Sequence, residues 1–170
     1  MFREMRRKGQ ALSREMCETI LNSATSGVLA LEGDNGYPYA VPLSFVFDAG
    51  KMYFHCATEG HKIDAVRKNA RASFCVIGQD EVAPERYTTD YRSVIVFGTI
   101  RILEETGEKR AAIEKLAVKY SPQEGEAARR TEIEQSMPGL CVLELDIQHL
   151  SGKQGRGLAQ SQPQCGKDVF

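Results

Sequence analysis

No stretch of this chain approaches the ~20 consecutive apolar residues that a membrane-spanning helix needs, and the opening "MFREMRRKGQALSREM" is too charged to hold the apolar centre of a signal peptide. A cytoplasmic location is the expectation. Excess charge of either sign is also missing, because 22 basic residues stand against 23 acidic ones for a formal charge of -1. Such a chain has no overall field to draw it onto nucleic acid or an anionic membrane. The one dense basic run, "RRKG", is balanced by nearby acids, so neither partner is expected. There is no CxxC pair. Cys17, Cys56, Cys75, Cys141 and Cys165 are odd in number and widely spaced, which fits reduced thiols better than a disulfide framework. His55, His61, Cys56 and Cys75 likewise lack the paired spacing of a structural zinc site, and no metal is expected. Internal repeats are absent, as is a nicotinamide-binding glycine loop.

What the chain does have is enough length, 170 residues, for one well-buried core. Residues 1–157 read as a single domain and residues 158–170, Gly/Gln/Pro-rich with almost no apolar period, as a flexible tail. Ser13 is placed to cap a helix over 14–24 with Met16, Cys17, Ile20, Leu21 and Ala24 on one face. "GVLALE" then reads as a strand. "YAVPLSFVF" follows as another, with Val41, Leu43, Phe45 and Phe47 on one face and Pro42 and Ser44 on the other, and "MYFHCA" reads as its hairpin partner. A helix over 61–69 carries Ile63, Val66 and Ala70 on its stripe, and "ASFCVIG" and "RSVIVFGTIRIL" return to strand. Within the latter, Gly98 suggests a bulge or a close backbone approach. Thr106 can cap a helix bearing Ile113, Leu116, Ala117 and Tyr120; a charged helical stretch and the strand "LCVLELDI" complete the pattern. About six strands without regular βαβ alternation indicate a mainly β fold with helices, an antiparallel barrel, in preference to a doubly wound sheet.

One turn breaks a rule of helix electrostatics. Helix N-termini carry partial positive charge and favour acids in the first turn, yet "ATEGHK" leads His61 and Lys62 into the start of a helix. A bound anion shared by the lysine and the free backbone N–H groups would explain the placement, with Thr58 and Gly60 adding a hydroxyl and an unencumbered backbone. The plainer explanation is a surface lysine of no consequence. On the neighbouring hairpin Pro42 and Ser44 alternate out of the apolar face beside Tyr53, His55 and Ala57, a set that suits a flat polar ligand or simply faces solvent.

Together, "VPLSFVFDAGKMYFHCATEGHK", "YRSVIVFGTIRIL" and "LSGKQ" resemble the FMN-binding split-barrel proteins related to pyridoxamine 5'-phosphate oxidase, and within them the 5-nitroimidazole-resistance group. The resemblance covers residues 4 to about 156, including "MRRKGQALSREM". It implies a six-stranded antiparallel split barrel and a homodimer with FMN between the subunits. By that resemblance Pro42, Leu43 and Ser44 line the flavin ring, His55, Cys56 and Ala57 run alongside it, His61 and Lys62 take the phosphate, and Ser93 and Lys153 are further contacts.

The implied activity is reduction of a nitroaromatic or other small electron-poor compound, with NADH or NADPH as candidate donor. His55 is the candidate catalytic residue, since imidazole titrates near neutral pH and can pass protons to a substrate; packing against the ring is its other role. Cys56 reads as a packing residue. The basic residues that pyridoxamine-phosphate oxidases use for their substrate have no match here. A non-catalytic binder of FMN, or of haem in a related barrel, is the rival reading, and the phosphate cradle at His61 and Lys62 favours FMN.

Overall fold

The structure, a computed structural model, describes residues 2–161. Alternating apolar residues form β1 (Ser26–Glu32), β2 (Pro38–Ser44), β3 (Val46–Asp48), β4 (Lys51–Ala57), β5 (Arg71–Ala83), β6 (Thr88–Ile102) and β7 (Leu140–Gln154). All pair antiparallel in the order β2-β1-β5-β6-β7-β4-β3. β2 and β3 lie at opposite edges of that order, yet only Phe45 separates them in the chain. The sheet therefore closes on itself.

This closure changes two expectations. "YAVPLSFVF" is one strand bent at Phe45, which gives seven strands where six were expected; counted as one bent strand, Pro38–Asp48 returns the number to six. The hairpin is also shorter than expected. β4 pairs with β3 only through Val46–Tyr53, Phe47–Met52 and Asp48–Lys51, and takes β7 as its partner along its whole length. A strand can follow only one neighbour on each side, and β2 has already turned to β1.

The inward residues of every long strand fill the barrel. Leu29, Phe54, Phe74, Val76, Val94, Val96, Leu143 and Leu145 are fully buried, and Val41 and Leu43 pack against them. Phe74 meets Phe45 edge-on at 5.0 Å and Phe54 at 5.1 Å. Each such ring contributes roughly 1.5–3 kcal/mol by leaving water. At Gly98 the β6–β7 register shifts, and a Cβ there would lie 2.0 Å from the Asp146 carbonyl oxygen. The expected bulge and the expected close approach coincide at this residue.

Helices cover what the barrel leaves open. The Ser13 hydroxyl accepts the Met16 N–H at 3.2 Å and starts α1 (Arg14–Ser23), whose Cys17, Ile20 and Leu21 are buried. α2 (His61–Lys68) buries Ile63, Ala65 and Val66, while Ala70, expected on that stripe, lies beyond its end and is exposed. Glu105, one residue before the expected cap Thr106, accepts the Gly107 and Glu108 N–H groups to start α3 (Thr106–Tyr120). α3 and α4 (Glu126–Ser136) enclose a second core of Leu103, Ile113, Leu116 and Ile133 over Tyr53 and Val142. Beneath them the buried Glu144 takes Lys51 at 3.0 Å and Arg101 at 2.9 Å, and Arg101 continues to Glu108 on α3. Burial pushes the Glu144 carboxyl up, but these two cations outweigh it and hold it below the usual carboxylate value. α5 (Arg156–Ser161) spans the start of the expected tail; residues 162–170 lie outside the described residues. Among the described residues no helix is long and apolar enough to cross a membrane.

The bend at Phe45 is held from outside. The Tyr120 hydroxyl, at the end of α3, accepts the Phe45 N–H at 2.8 Å and directs its proton toward the carbonyls of Thr25 and Phe45. Phe45 belongs to neither strand and has no ladder partner for these groups. Tyr120→Phe is therefore expected to destabilise the fold by ~1–3 kcal/mol, the cost of leaving part-buried backbone groups unpaired. Urea unfolding at constant m-value checks it.

Candidate functional site

The turn before α2 is shaped by Gly60, whose φ of 117° and ψ of 173° suit glycine alone. Its carbonyl accepts the N–H groups of Ile63 (2.9 Å) and Asp64 (3.2 Å), and no side chain caps the helix. The first two N–H groups, those of His61 and Lys62, lie outside these bonds. The helix end thus offers donors to a ligand.

The basic pair divides in its surroundings. His61 stacks on Tyr39 at 4.1 Å between ring centroids, and its Nε2 lies 3.5 Å from a carboxylate oxygen of Asp34. This histidine fastens the turn to β2 and to the β1–β2 connection. Lys62 has no ion pair and no hydrogen bond among the described residues, and its charge acts on the Cys56 thiol. It is the cation left available at this turn.

The seam of the barrel runs beside the turn. Continuing the β3–β4 register beyond Val46–Tyr53 sets Ser44 level with His55 and Pro42 level with Ala57, although β2 pairs with β1 at Ser26–Ser44 and Val28–Pro42 instead. β2 and β4 still touch across the seam. Pro42, Ser44, His55 and Ala57 are exposed along its two lips, whereas Leu43 and Cys56 point inward and pack on the core. The flat polar face expected of a paired hairpin is therefore a split between two strands.

Ser93 and Lys153 lie elsewhere. They are register partners on β6 and β7, and the Lys153 ammonium sits over the Tyr91 ring at 5.8 Å. β7 meets Ala57 at its first residue, Leu140, and Ser93 near its last, Lys153. The sequence-derived residues thus form two groups at opposite ends of β7 within one chain.

Between the groups runs an uncovered apolar face. Val28, Cys75, Ile95 and Ser151 are successive register partners across β1, β5, β6 and β7, and Ala30, Ser73, Phe97 and His149 form the next row. Val28, Ile95 and Phe97 are each about two-fifths exposed, at 38%, 40% and 38%, and Ile77 reaches 65%. Phe2 lies on this row, stacked on His149 at 4.8 Å. Tyr39, Asp34 and Cys141 also join the site without having been expected there. Tyr39 and Cys141 read in the sequence as strand residues, and only the register reveals what each meets.

A closed antiparallel barrel with a split seam and an uncapped helix at its lip defines a split-barrel protein. Comparison agrees: the family described as pyridoxamine 5'-phosphate oxidase matches residues 13–154, and the chain belongs to it. No curated protein sequence matches the chain. Among solved structures, a candidate 5-nitroimidazole antibiotic resistance protein from Bacteroides thetaiotaomicron is similar at 20% identity and a TM-score of 0.71, over 85% of this chain and 86% of that one. A conserved hypothetical protein from Mycobacterium tuberculosis gives 18% identity and a TM-score of 0.79, covering 96% and 98%. A FAD- and haem-binding protein from Mycobacterium smegmatis gives 22% identity and 0.72, covering 95% and 91%. At these identities the likeness is one of fold.

Gly60→Ala isolates the turn. Nothing lies within 4 Å of an added Cβ, so the expected loss of ~1–3 kcal/mol comes from backbone strain alone. Urea unfolding measures it, and an unchanged midpoint would show that the turn tolerates another conformation.

Proposed function

We propose that this protein is a homodimeric FMN-binding oxidoreductase that reduces small electron-poor compounds, nitroaromatics such as 5-nitroimidazoles among them. The observation that carries the reading is Lys62: an unpaired ammonium at an uncapped helix N-terminus, beside the split seam. A phosphate monoester fits that arrangement through charge-assisted bonds from Lys62 and the first N–H groups of α2. Asp34 disfavours an anion near His61, which leaves Lys62 and the backbone as its main holders and gives His61 the task of fixing the turn. Flavin as the ligand is supported by the similar structures, which include a FAD- and haem-binding protein and a candidate nitroimidazole-resistance protein.

The seam would take the rest of the cofactor. Pro42 and Ser44 on one lip and His55 and Ala57 on the other offer a hydroxyl, an imidazole and backbone groups, while Leu43 and Cys56 lie on the core side of the same strands. When bound, FMN supplies hydride or single-electron transfer. The exposed imidazole of His55 is positioned to hold or deliver a proton to a substrate at the seam. A second copy is proposed over the Val28–Ile95–Phe97 face, since an apolar surface of that extent on central strands calls for cover. Such a copy brings its own Ser93 and Lys153 toward the seam, joining the two groups that one chain keeps apart.

The first experiment is the visible spectrum after FMN addition and desalting, repeated anaerobically with NADH or NADPH. Retained flavin that bleaches supports the reductase, retained flavin that does not bleach leaves a binder, and a Soret band on haem addition without flavin retention overturns the assignment. Lys62→Ala is expected to weaken FMN binding by more than ~1.5 kcal/mol, about tenfold, as measured by fluorescence titration; wild-type affinity would remove Lys62 from the phosphate site. His55→Ala is expected to keep flavin affinity and lower the rate of nitro-compound reduction by ~10²-fold or more, and wild-type turnover would take His55 out of proton transfer.

A further inference from the structure

We infer that Cys56 and Cys141 are a redox pair that closes to a cross-strand disulfide on exposure to a hydroperoxide, a modification site at the base of the α2 turn. The two residues are direct register partners on β4 and β7. Opposed residues in an antiparallel ladder have Cα atoms roughly 4.5–5.5 Å apart, within the roughly 4.4–6.8 Å that a disulfide spans. Both side chains lie on the core side of the sheet, and Cys141 acts directly on the Cys56 thiol. No such partner faces the other described cysteines: Cys75 lies opposite Val28 and Ile95, and Cys17 is buried on α1.

The surroundings divide the chemistry between the two sulfurs. Cys56 is half-buried and feels the charge of Lys62, whereas Cys141 is only 7% exposed. The Cys56 thiol is pushed up to about 11: burial raises it most, Lys62 pulls it down, and Cys141 adds to the rise. The resting Cys56 thiol is therefore protonated, and Lys62 supplies the stabilisation that its thiolate needs. The Cys56 thiolate attacks the peroxide O–O bond, giving a sulfenic acid and releasing water. Cys141 then attacks that sulfur, the S–S bond forms, and the sulfenic oxygen leaves as a second water with the remaining proton. Two thiols are oxidised by two electrons and one hydrogen peroxide is reduced to two waters. The product ties the end of β4, two residues before the Thr58–Gly60 turn, to the start of β7.

The test uses the full chain carrying Cys165→Ser, which removes the thiol outside the described residues. The protein is treated with hydrogen peroxide, quenched in acid, alkylated and mapped by mass spectrometry. The expected result is a mass lower by two hydrogen atoms and a Cys56–Cys141 linked peptide, reversed by dithiothreitol. Its formation is expected to be several-fold slower in Lys62→Ala. Oxidation without that peptide, or a link through Cys17 or Cys75, overturns the pairing; an unchanged rate in Lys62→Ala overturns the role given to Lys62. The mapping needs no substitution at position 56 or 141, so a misfolded variant cannot imitate failure. No flavin is required, so the outcome is separate from that of the cofactor reading.

Discussion

Everything in this fold depends on one bend. Pro38–Asp48 must leave the edge beside β1 and arrive at the edge beside β4, and it does so at Phe45, whose backbone groups belong to neither ladder. Two forces hold that residue. Its ring is fully buried against Phe74 inside the barrel, with the Lys119 ammonium 4.2 Å from the ring centroid on the outer side. Its N–H and C=O are both met by the Tyr120 hydroxyl. A residue anchored by its side chain within and by its backbone from without can turn a strand sharply and still leave no buried polar group unpaired.

The split seam follows from this bend. Once β2 has turned toward β1, residues 54–57 of β4 have no ladder partner on that side, and Ser44 and His55 lie on separate strands where a straight strand would have paired them. α2 leaves β4 through the Gly60 turn with its N-terminus uncapped, and His61 ties that end to Tyr39 on β2. α3 then serves two purposes. It covers the outer faces of β4 at Tyr53 and of β7 at Val142, and it carries Tyr120 back to the bend. Barrel closure, site formation and helix packing are thereby parts of one arrangement.

Much of this was legible in the sequence, for identifiable reasons. Ser13 and the strand alternations are local signals, and the structure keeps them: the cap bonds Met16, and Val41 and Leu43 face the core while Pro42 and Ser44 do not. Gly98 was legible because a missing side chain in a strand has few meanings. The bend at Phe45 was not, because Phe45 keeps the inward parity that a straight strand would give it, and the groups that bend the chain sit on Tyr120, far away in sequence. For the same reason Tyr120 read as a helix-stripe residue. At the candidate site the unusual placement of His61 and Lys62 was plain, but the difference between them was not. That His61 is engaged with Tyr39 and Asp34 while Lys62 is left unpaired depends on which loop the barrel brings to the helix end.

That difference bears on why the lysine stands alone. Elsewhere cations gather on acids, and the buried Glu144 collects both Lys51 and Arg101. At the α2 turn Asp34 is turned to His61. Asp34 stays with the imidazole stacked on Tyr39, and the first-turn acid Asp64 lies 3.7 Å from Arg67, so neither carboxylate pairs with Lys62. A positively charged helix end with a further positive charge added to it is electrostatically unfavourable by a few tenths of a kcal/mol when it stands alone, and favourable once an anion bridges both. The electrostatic energy of the turn would therefore fall if an anion bridged the lysine and the helix end.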